Sequence, residues 1–123
     1  MKLNKELIRE ILLEVEATED PLSLKTLNLP DHTDEEISYH ICLLAEAGFL
    51  MAHDLTTLNG YNWCATRLTY EGHEFLDTIR DNKIWRKTKE IAKTAGISSI
   101  NALFEIGKGF VKQKLIELGV HIG

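Results

Sequence analysis

The first residues of the chain carry apolar side chains at helical spacing. From Leu3 to Val15 an apolar residue recurs at every fourth position, and charged residues occupy much of the opposite side. This periodicity predicts an amphipathic helix with one face on a core. Pro21 disfavours helix in the residue before it, so we expect the helix to end near Thr18.

Residues 22–27 show a different pattern, in which apolar and polar side chains alternate. A period of two residues is typical of a half-buried strand. The sequence therefore predicts a short strand here, ended by the turn residues around Pro30.

A second helix is marked by local signals at both ends. Thr33 and Glu36 have the spacing of a capping box, in which each side chain bonds the backbone of the other residue. Gly48 suits the left-handed conformation that ends many helices. The residues assigned to the inner stripe of this helix are Ile37, Ile41 and Leu44.

Two apolar stretches, residues 49–55 and 63–68, follow on either side of Asn59-Gly60. Asn-Gly between such stretches is a strong β-hairpin signal. Thr69 then predicts the start of a third helix that runs to about Asp81. The side chains expected to face inward on it are Phe75, Leu76 and Ile79.

The order of helix, strand, helix, hairpin and helix is that of a winged helix. The motif Leu-Thr-x-x-Gly at residues 68–72 follows the hairpin, as in many bacterial winged-helix regulators. Four blocks, residues 9–14, 35–41, 46–48 and 67–77, resemble the bacterial and phage family catalogued as domain of unknown function 2513. The resemblance implies a winged-helix-like fold and an association with phages or other mobile elements, and it implies no particular activity.

Charge divides the 123-residue chain. It holds 14 Lys and Arg against 19 Asp and Glu, a formal charge of −5. Residues 1–82 contribute −10 and residues 83–123 contribute +5. We predict an α+β, mostly helical fold, with a winged-helix-like domain and its β-hairpin wing at 1–82 and a basic amphipathic helical extension at 83–123. The division suggests an interaction surface on the basic extension.

Several classes of protein are disfavoured by what the sequence lacks. No stretch approaches the roughly 18 apolar residues of a membrane span, and there is no secretory signal. Cys42 and Cys64 are too few for a disulfide framework, so a cytoplasmic protein with free thiols is expected. No phosphate-binding, zinc or nucleophile motif occurs. The sequence therefore predicts no enzyme, no metal site and no cofactor, and makes a membrane partner improbable.

The second helix would be the recognition helix of a DNA-binding winged helix, but its predicted outer face is acidic. That face comprises Glu35, Ser38, Tyr39, Cys42 and Glu46. With no Lys or Arg to neutralise phosphates, it favours a protein partner over nucleic acid.

Cationic residues gather instead on a helix predicted from residue 81 to 95. Its inner stripe is predicted as Ile84, Thr88, Ile91 and Ala95, with Trp85 as a packing anchor. The proposed contacts for nucleic acid or an acidic partner are Lys83, Arg86, Lys89 and Lys93, with Arg67 from the wing. A solvated face with no partner is the plainer interpretation.

A final apolar helix is predicted after Gly96, capped by Ser98 or Ser99. Its proposed dimer face comprises Ile100, Phe104, Val111 and Leu118. Gly107 and Gly109 would either allow close helix approach or mark a kink.

Two functions remain open at this point. The favoured one is a non-enzymatic binding or regulatory module that interacts with another protein or with itself as a homodimer. The alternative is a transcriptional regulator that contacts DNA through residues 83–93 and the wing.

Overall fold

The computed structural model describes residues 1–121. Within them, five helices and one antiparallel hairpin form an α+β, mostly helical fold, as predicted. The elements are α1 (Lys5–Glu16), α2 (Asp34–Glu46), β1 (Leu50–Asp54), β2 (Trp63–Leu68), α3 (Tyr70–Ile79), α4 (Asn82–Ala95) and α5 (Ile100–Glu117). They divide into two compact units, residues 1–76 and the residues from 77 onward, so that α3 crosses the division.

The N-terminal unit is built around α1, which begins at its cap Asn4 and ends before Ala17. The periodicity predicted for this helix is confirmed. Its buried residues are Leu7, Ile8, Ile11, Leu12 and Val15. Burying this face removes apolar area from water, which stabilises the unit by about 25 cal/mol per Å².

Both predicted ends of α2 are confirmed. The Thr33 hydroxyl accepts from the Glu36 N–H at 3.1 Å, and the Glu36 carboxylate accepts from the Thr33 N–H at 3.3 Å. At the other end Gly48 has a φ of +87°, and the N–H of Phe49 bonds the Leu44 carbonyl at 2.9 Å. This pattern is a Schellman motif, and it places Phe49 in the core at 2% exposure.

The hairpin pairs β1 with β2 from Leu50 opposite Leu68 to Asp54 opposite Trp63, with an irregularity after Met51. The turn lies one residue earlier than Asn59-Gly60 suggests. Thr57 and Gly60 exchange hydrogen bonds of 3.1 Å, so that Leu58 and Asn59 form the tip.

The strand predicted at residues 22–27 is wrong. The segment has no helix or strand, and the side chains of Leu22 and Leu24, which a strand would have half buried, are exposed. The Lys25 N–H bonds the Ala65 carbonyl of β2 at 2.8 Å. The buried Lys25 ammonium then donates to the carbonyl oxygens of Asp20 and Ser23, so a lysine rather than strand pairing orders this loop.

The C-terminal unit packs α4 on α5. Gly96 ends α4 with a φ of +69°, and Ser99 caps α5, as the sequence predicts. Asp81 caps the start of α4. The buried stripe of α4 is Trp85, Thr88 and Ala92. The predicted stripe is therefore wrong at Ile91 and Ala95, which are exposed, because the large Trp85 side chain turns the helix so that its own side faces α5.

Half of the residues predicted for the dimer face on α5 are buried within the chain. Ile100 and Phe104 are buried within the chain, Val111 is half buried, and Leu118 is exposed just beyond the last turn. Folding of α4 onto the first half of α5 covers the residues that seemed to need a partner. Gly107 permits close approach to Thr78 and α5 runs without interruption, so the glycine contact is confirmed there.

Candidate functional site

A cleft of about 580 Å³ opens in the N-terminal unit between α2 and the hairpin loop. Its walls come from three stretches that are distant in sequence: residues 25–27, the first two turns of α2, and residues 55–64. Because its walls combine apolar surface with a few polar groups, we take it as the candidate functional site.

Hydrogen bonds hold the loop side of the cleft in place. The Trp63 N–H donates to the Ser38 hydroxyl at 3.2 Å, which ties the loop directly to α2. The Leu55 N–H bonds the Asn62 carbonyl at 2.7 Å, and the Asn62 N–H bonds the Thr56 hydroxyl at 3.1 Å. The cleft is therefore preformed, and a ligand would not have to order the loop.

The lining combines acidic and apolar groups. Asp34 and Glu35 lie exposed at the N-terminal end of α2, and Ile37, Leu55 and Trp63 supply apolar surface that is partly exposed. Carboxylates beside apolar surface suit a ligand that carries both positive charge and hydrocarbon.

The predicted outer face of α2 is only partly exposed. Glu35 and Glu46 are exposed and Tyr39 is half buried, but Ser38 and Cys42 are buried at 4% and 8% exposure. Placing those two outside was wrong because the hairpin covers the side of α2 that they occupy. Only the two glutamates and part of the Tyr39 ring remain accessible to a partner.

The opposite side of α2 carries a buried histidine. The ring of His40 accepts from the Asn4 N–H at Nε2 (2.8 Å), and its Nδ1 lies 2.7 Å from the Glu36 carbonyl oxygen. Since a carbonyl only accepts, Nδ1 carries the proton and the ring is neutral. Burial lowers the pKa of His40, consistent with this assignment.

A small polar cluster lies where the loop meets the last turns of α2. The Cys42 thiol is 3.3 Å from a Glu46 carboxylate oxygen and also bonds the Tyr61 hydroxyl. Loss of hydration, followed by the bond to Cys42, raises the pKa of Tyr61 to about 12, and burial likewise raises the pKa of the Cys42 thiol. Both groups stay protonated at neutral pH, so this cysteine lacks the thiolate of a nucleophile.

The cationic residues predicted to contact nucleic acid lie in both units. On α4, Lys83, Arg86 and Lys93 are exposed on the side opposite the buried stripe, with the Glu90 carboxylate among them. Lys89 is half buried, and its ammonium lies 5.3 Å from the centre of the Trp85 ring.

Arg67 is exposed on β2 in the N-terminal unit, where its guanidinium donates to the Leu68 carbonyl at 3.0 Å. Of the predicted contacts, those exposed on α4 are therefore Lys83, Arg86 and Lys93, which we call the α4 strip.

The sequence reasoning did not identify the cleft. The sequence pattern predicts a connecting turn for its loop residues and places Leu27 and Trp63 in strands. No local pattern indicates the cleft, because its three stretches meet only in the folded unit.

Residues 1–121 contain neither a candidate membrane-spanning helix nor a candidate metal site. No helix in that range combines the length and the apolar composition that crossing a membrane requires. The same residues include no group of three or more His, Cys, Asp or Glu side chains placed to hold a metal ion.

Comparison with known proteins identifies relatives of the chain. A family model described as hypothetical protein (DUF2513) matches residues 2–98. A protein of Haemophilus influenzae, described only as uncharacterised, is 35% identical over 117 residues, which cover 94% of this chain and 99% of the relative. No solved structure matches the chain, and the winged-helix-like interpretation stays a prediction.

The match to the family model covers most of the chain, and the resemblance seen in the blocks at residues 9–14, 35–41, 46–48 and 67–77 falls within it. The chain therefore belongs to the DUF2513 family.

Proposed function

We propose that the chain is a non-enzymatic protein-binding module whose N-terminal unit takes a basic, partly apolar segment of a partner into the cleft between α2 and the hairpin loop. The observation that supports this most is the lining of the cleft, where exposed Asp34 and Glu35 adjoin apolar surface. The whole unit supports it electrostatically, since residues 1–76 hold five basic and fourteen acidic side chains.

The position of the cleft adds to the argument. In a winged-helix interpretation α2 would be the helix that reads DNA, yet its accessible charges are carboxylates. Carboxylates repel phosphate and attract Lys and Arg, so the same scaffold position is better suited to a cationic protein segment.

A direct test uses fluorescence anisotropy with a labelled helical peptide in which lysine and leucine form opposite faces. Glu35→Arg should weaken binding roughly fivefold, because it replaces an attractive charge by a repulsive one at a solvated rim. The matched control is Glu71→Arg. Glu71 is exposed and, like Glu35, is the second residue of its helix, so it shares the interaction with a helix N-terminus and lies outside the cleft. Equal losses in both variants would contradict the proposal.

A second candidate, DNA binding through α4, is favoured by one observation. Lys83, Arg86 and Lys93 share an exposed face of a helix whose first turn holds no acidic residue. If Arg86 and Lys93 each neutralise one phosphate, reversing both should reduce the slope of log K against log salt by roughly 1.8.

Titration of a labelled duplex at several salt concentrations measures this slope. The variant Arg86→Glu/Lys93→Glu is compared with Lys2→Glu/Lys108→Glu, which makes the same change in net charge at exposed positions outside the strip. Salt-independent binding, or equal slopes in the two variants, would exclude the α4 strip as a phosphate contact.

A further inference from the structure

The end of α5 exposes apolar side chains on an ordered backbone. Ile116, Leu118 and Val120 are 55%, 72% and 45% exposed. Gly119 has a φ of +87°, and the N–H groups of Gly119 and Val120 bond the carbonyls of Ile116 and Leu115 at 3.0 and 2.9 Å. These bonds form a complete Schellman motif, so the exposed side chains are held in place by a cap rather than hanging from a frayed end.

The same cap at the end of α2 buries the apolar side chain that follows its glycine. There the residue after the glycine, Phe49, is buried in the core of the N-terminal unit. In α5 the corresponding residue is Val120, and it faces solvent together with Leu118. Apolar side chains held exposed at an ordered helix end are candidates for contact with a partner.

Charge indicates what this segment would bind. We call residues 112–120 the α5 end segment. Lys112 and Lys114 lie exposed on it, and Glu117 is its single acidic residue. The unit that carries it, from residue 77 onward, has nine basic and five acidic side chains. The segment thus has the two properties that the cleft selects for, cationic groups and exposed hydrocarbon.

We propose that the α5 end segment of one copy binds in the cleft of a second copy, so that two chains pair reciprocally through their acidic N-terminal units and basic C-terminal units. This inference rests on the function proposed for the cleft and names its occupant. Each chain supplies one segment and one cleft, so a reciprocal pair with two-fold symmetry contains two identical contacts and leaves no site open. Doubling the contact also helps the buried area to approach the roughly 1,200 Å² of a stable interface.

The pairing differs from the dimer predicted from sequence. That dimer used Ile100 and Phe104, which α4 already covers within each chain. The present one uses the part of α5 that remains exposed, and it requires opposite charges on the two surfaces. It should therefore weaken as salt concentration rises.

Sedimentation velocity of the full chain tests the pairing. At low salt the mass should be twice the 14.0 kDa of one chain. Leu118→Asp should weaken the dimer at least tenfold, because it places a carboxylate against the acidic cleft. Leu22→Asp is the matched control, since Leu22 is an exposed leucine outside both surfaces.

A charge exchange tests which surfaces meet. The cleft variant Asp34→Lys/Glu35→Lys and the end-segment variant Lys112→Glu/Lys114→Glu should each be monomeric alone. Their equimolar mixture should form dimers, since each partner then offers the charge that the other lacks. Circular dichroism on each variant confirms that it is folded, and Glu19→Lys/Glu71→Lys controls for the net charge change.

Three results would overturn the inference: a monomeric wild type at high micromolar concentration and low salt, a dimer that none of these substitutions weakens, or a mixture that stays monomeric. The proposed function of the cleft has its own readout, binding of the lysine and leucine peptide. A monomeric chain that still binds this peptide in a Glu35-dependent way would refute the self-pairing and leave the proposed function standing.

Discussion

Each unit of the molecule contains a helical glycine that lies against a neighbour, and the two neighbours differ. A Cβ on Gly72, in α3, would lie 2.0 Å from the carbonyl oxygen of Phe49. A Cβ on Gly107, in α5, would lie 2.5 Å from a methyl carbon of Thr78. Backbone blocks the first position, and a side chain that can rotate or be shortened blocks the second.

The difference shows how each unit is held together. The Phe49 carbonyl also accepts the Thr69 N–H at 3.1 Å, and the Thr69 hydroxyl both donates to the Gly48 carbonyl and accepts the Gly72 N–H. In the N-terminal unit the end of α2 and the start of α3 are thus joined by backbone bonds. In the C-terminal unit the contact at Gly107 is one of side-chain packing, so we expect it to adapt more easily.

The largest effect should come from Gly72→Ala. The added methyl cannot fit without moving the Phe49 carbonyl and breaking its bond to Thr69, so we expect a loss of about 3 kcal/mol in the free energy of unfolding. Urea denaturation followed by circular dichroism measures it. A loss below about 1 kcal/mol would show that this junction is not rigid.

Gly107→Ala should lower the free energy of unfolding by less, about 1–2 kcal/mol, because the Thr78 side chain can shift. Thr78→Ser removes the methyl that the new Cβ would meet and keeps the hydroxyl. The double variant should therefore be more stable than the sum of the two single changes predicts. Strict additivity in the same urea experiment would argue against this contact.

Acid should affect the N-terminal unit through His40. Because burial lowers its pKa, the unfolded chain takes up a proton near pH 6.5 while the folded chain does not. The stability contributed by neutral His40 is therefore complete above about pH 6.5 and falls as the pH decreases, by at most about 1.4 kcal/mol per pH unit.

A protonated ring would also confront the Asn4 N–H with a second donor. Hydrogen exchange at pH 7 and pH 5 should show faster opening at the start of α1 than in α4. His40→Gln should flatten this pH dependence, whereas His53→Gln, at an exposed histidine, should leave it in place. Equal acceleration in both units would count against His40 as the cause.

The smallest expected effect is an increase in the free energy of unfolding. Gly109 lies on α5, where an added Cβ would meet no atom within 4 Å, and its φ is not in the left-handed region. Gly109→Ala should therefore stabilise the chain by about 0.5–1 kcal/mol through helix propensity alone. Thermal unfolding should give a higher melting temperature for Gly109→Ala and a lower one for Gly107→Ala than for the wild type.

Features set by neighbouring residues could be predicted from the sequence. The capping box at Thr33 and Glu36, the glycine ends at Gly48 and Gly96, and the hairpin all depend on contacts within a few residues. Their chemistry is complete in the local sequence, so the elements and most of their bounds followed from it.

Features set by distant contacts could not be predicted. Helical periodicity places Ser38 on the outer face of α2, but the hairpin covers that residue. The same reasoning places Ile91 inside, but Trp85 occupies the buried side of α4. The cleft is the clearest case, because residues near 25, 35 and 60 become neighbours only in the folded unit. A helical wheel describes one helix, and it does not show which side a later element will cover.

Lys25 gives the irregular segment between α1 and α2 an organisation that resembles a metal-bound loop. Its buried ammonium donates to the carbonyl oxygens of Asp20 and Ser23 and so takes the place that a small bound cation would have. Such a centre cannot be removed by a chelator, but Lys25→Met would remove its charge. The carbonyl oxygens of Asp20 and Ser23 would then lack their shared donor, and we expect the loop next to the cleft to become less ordered.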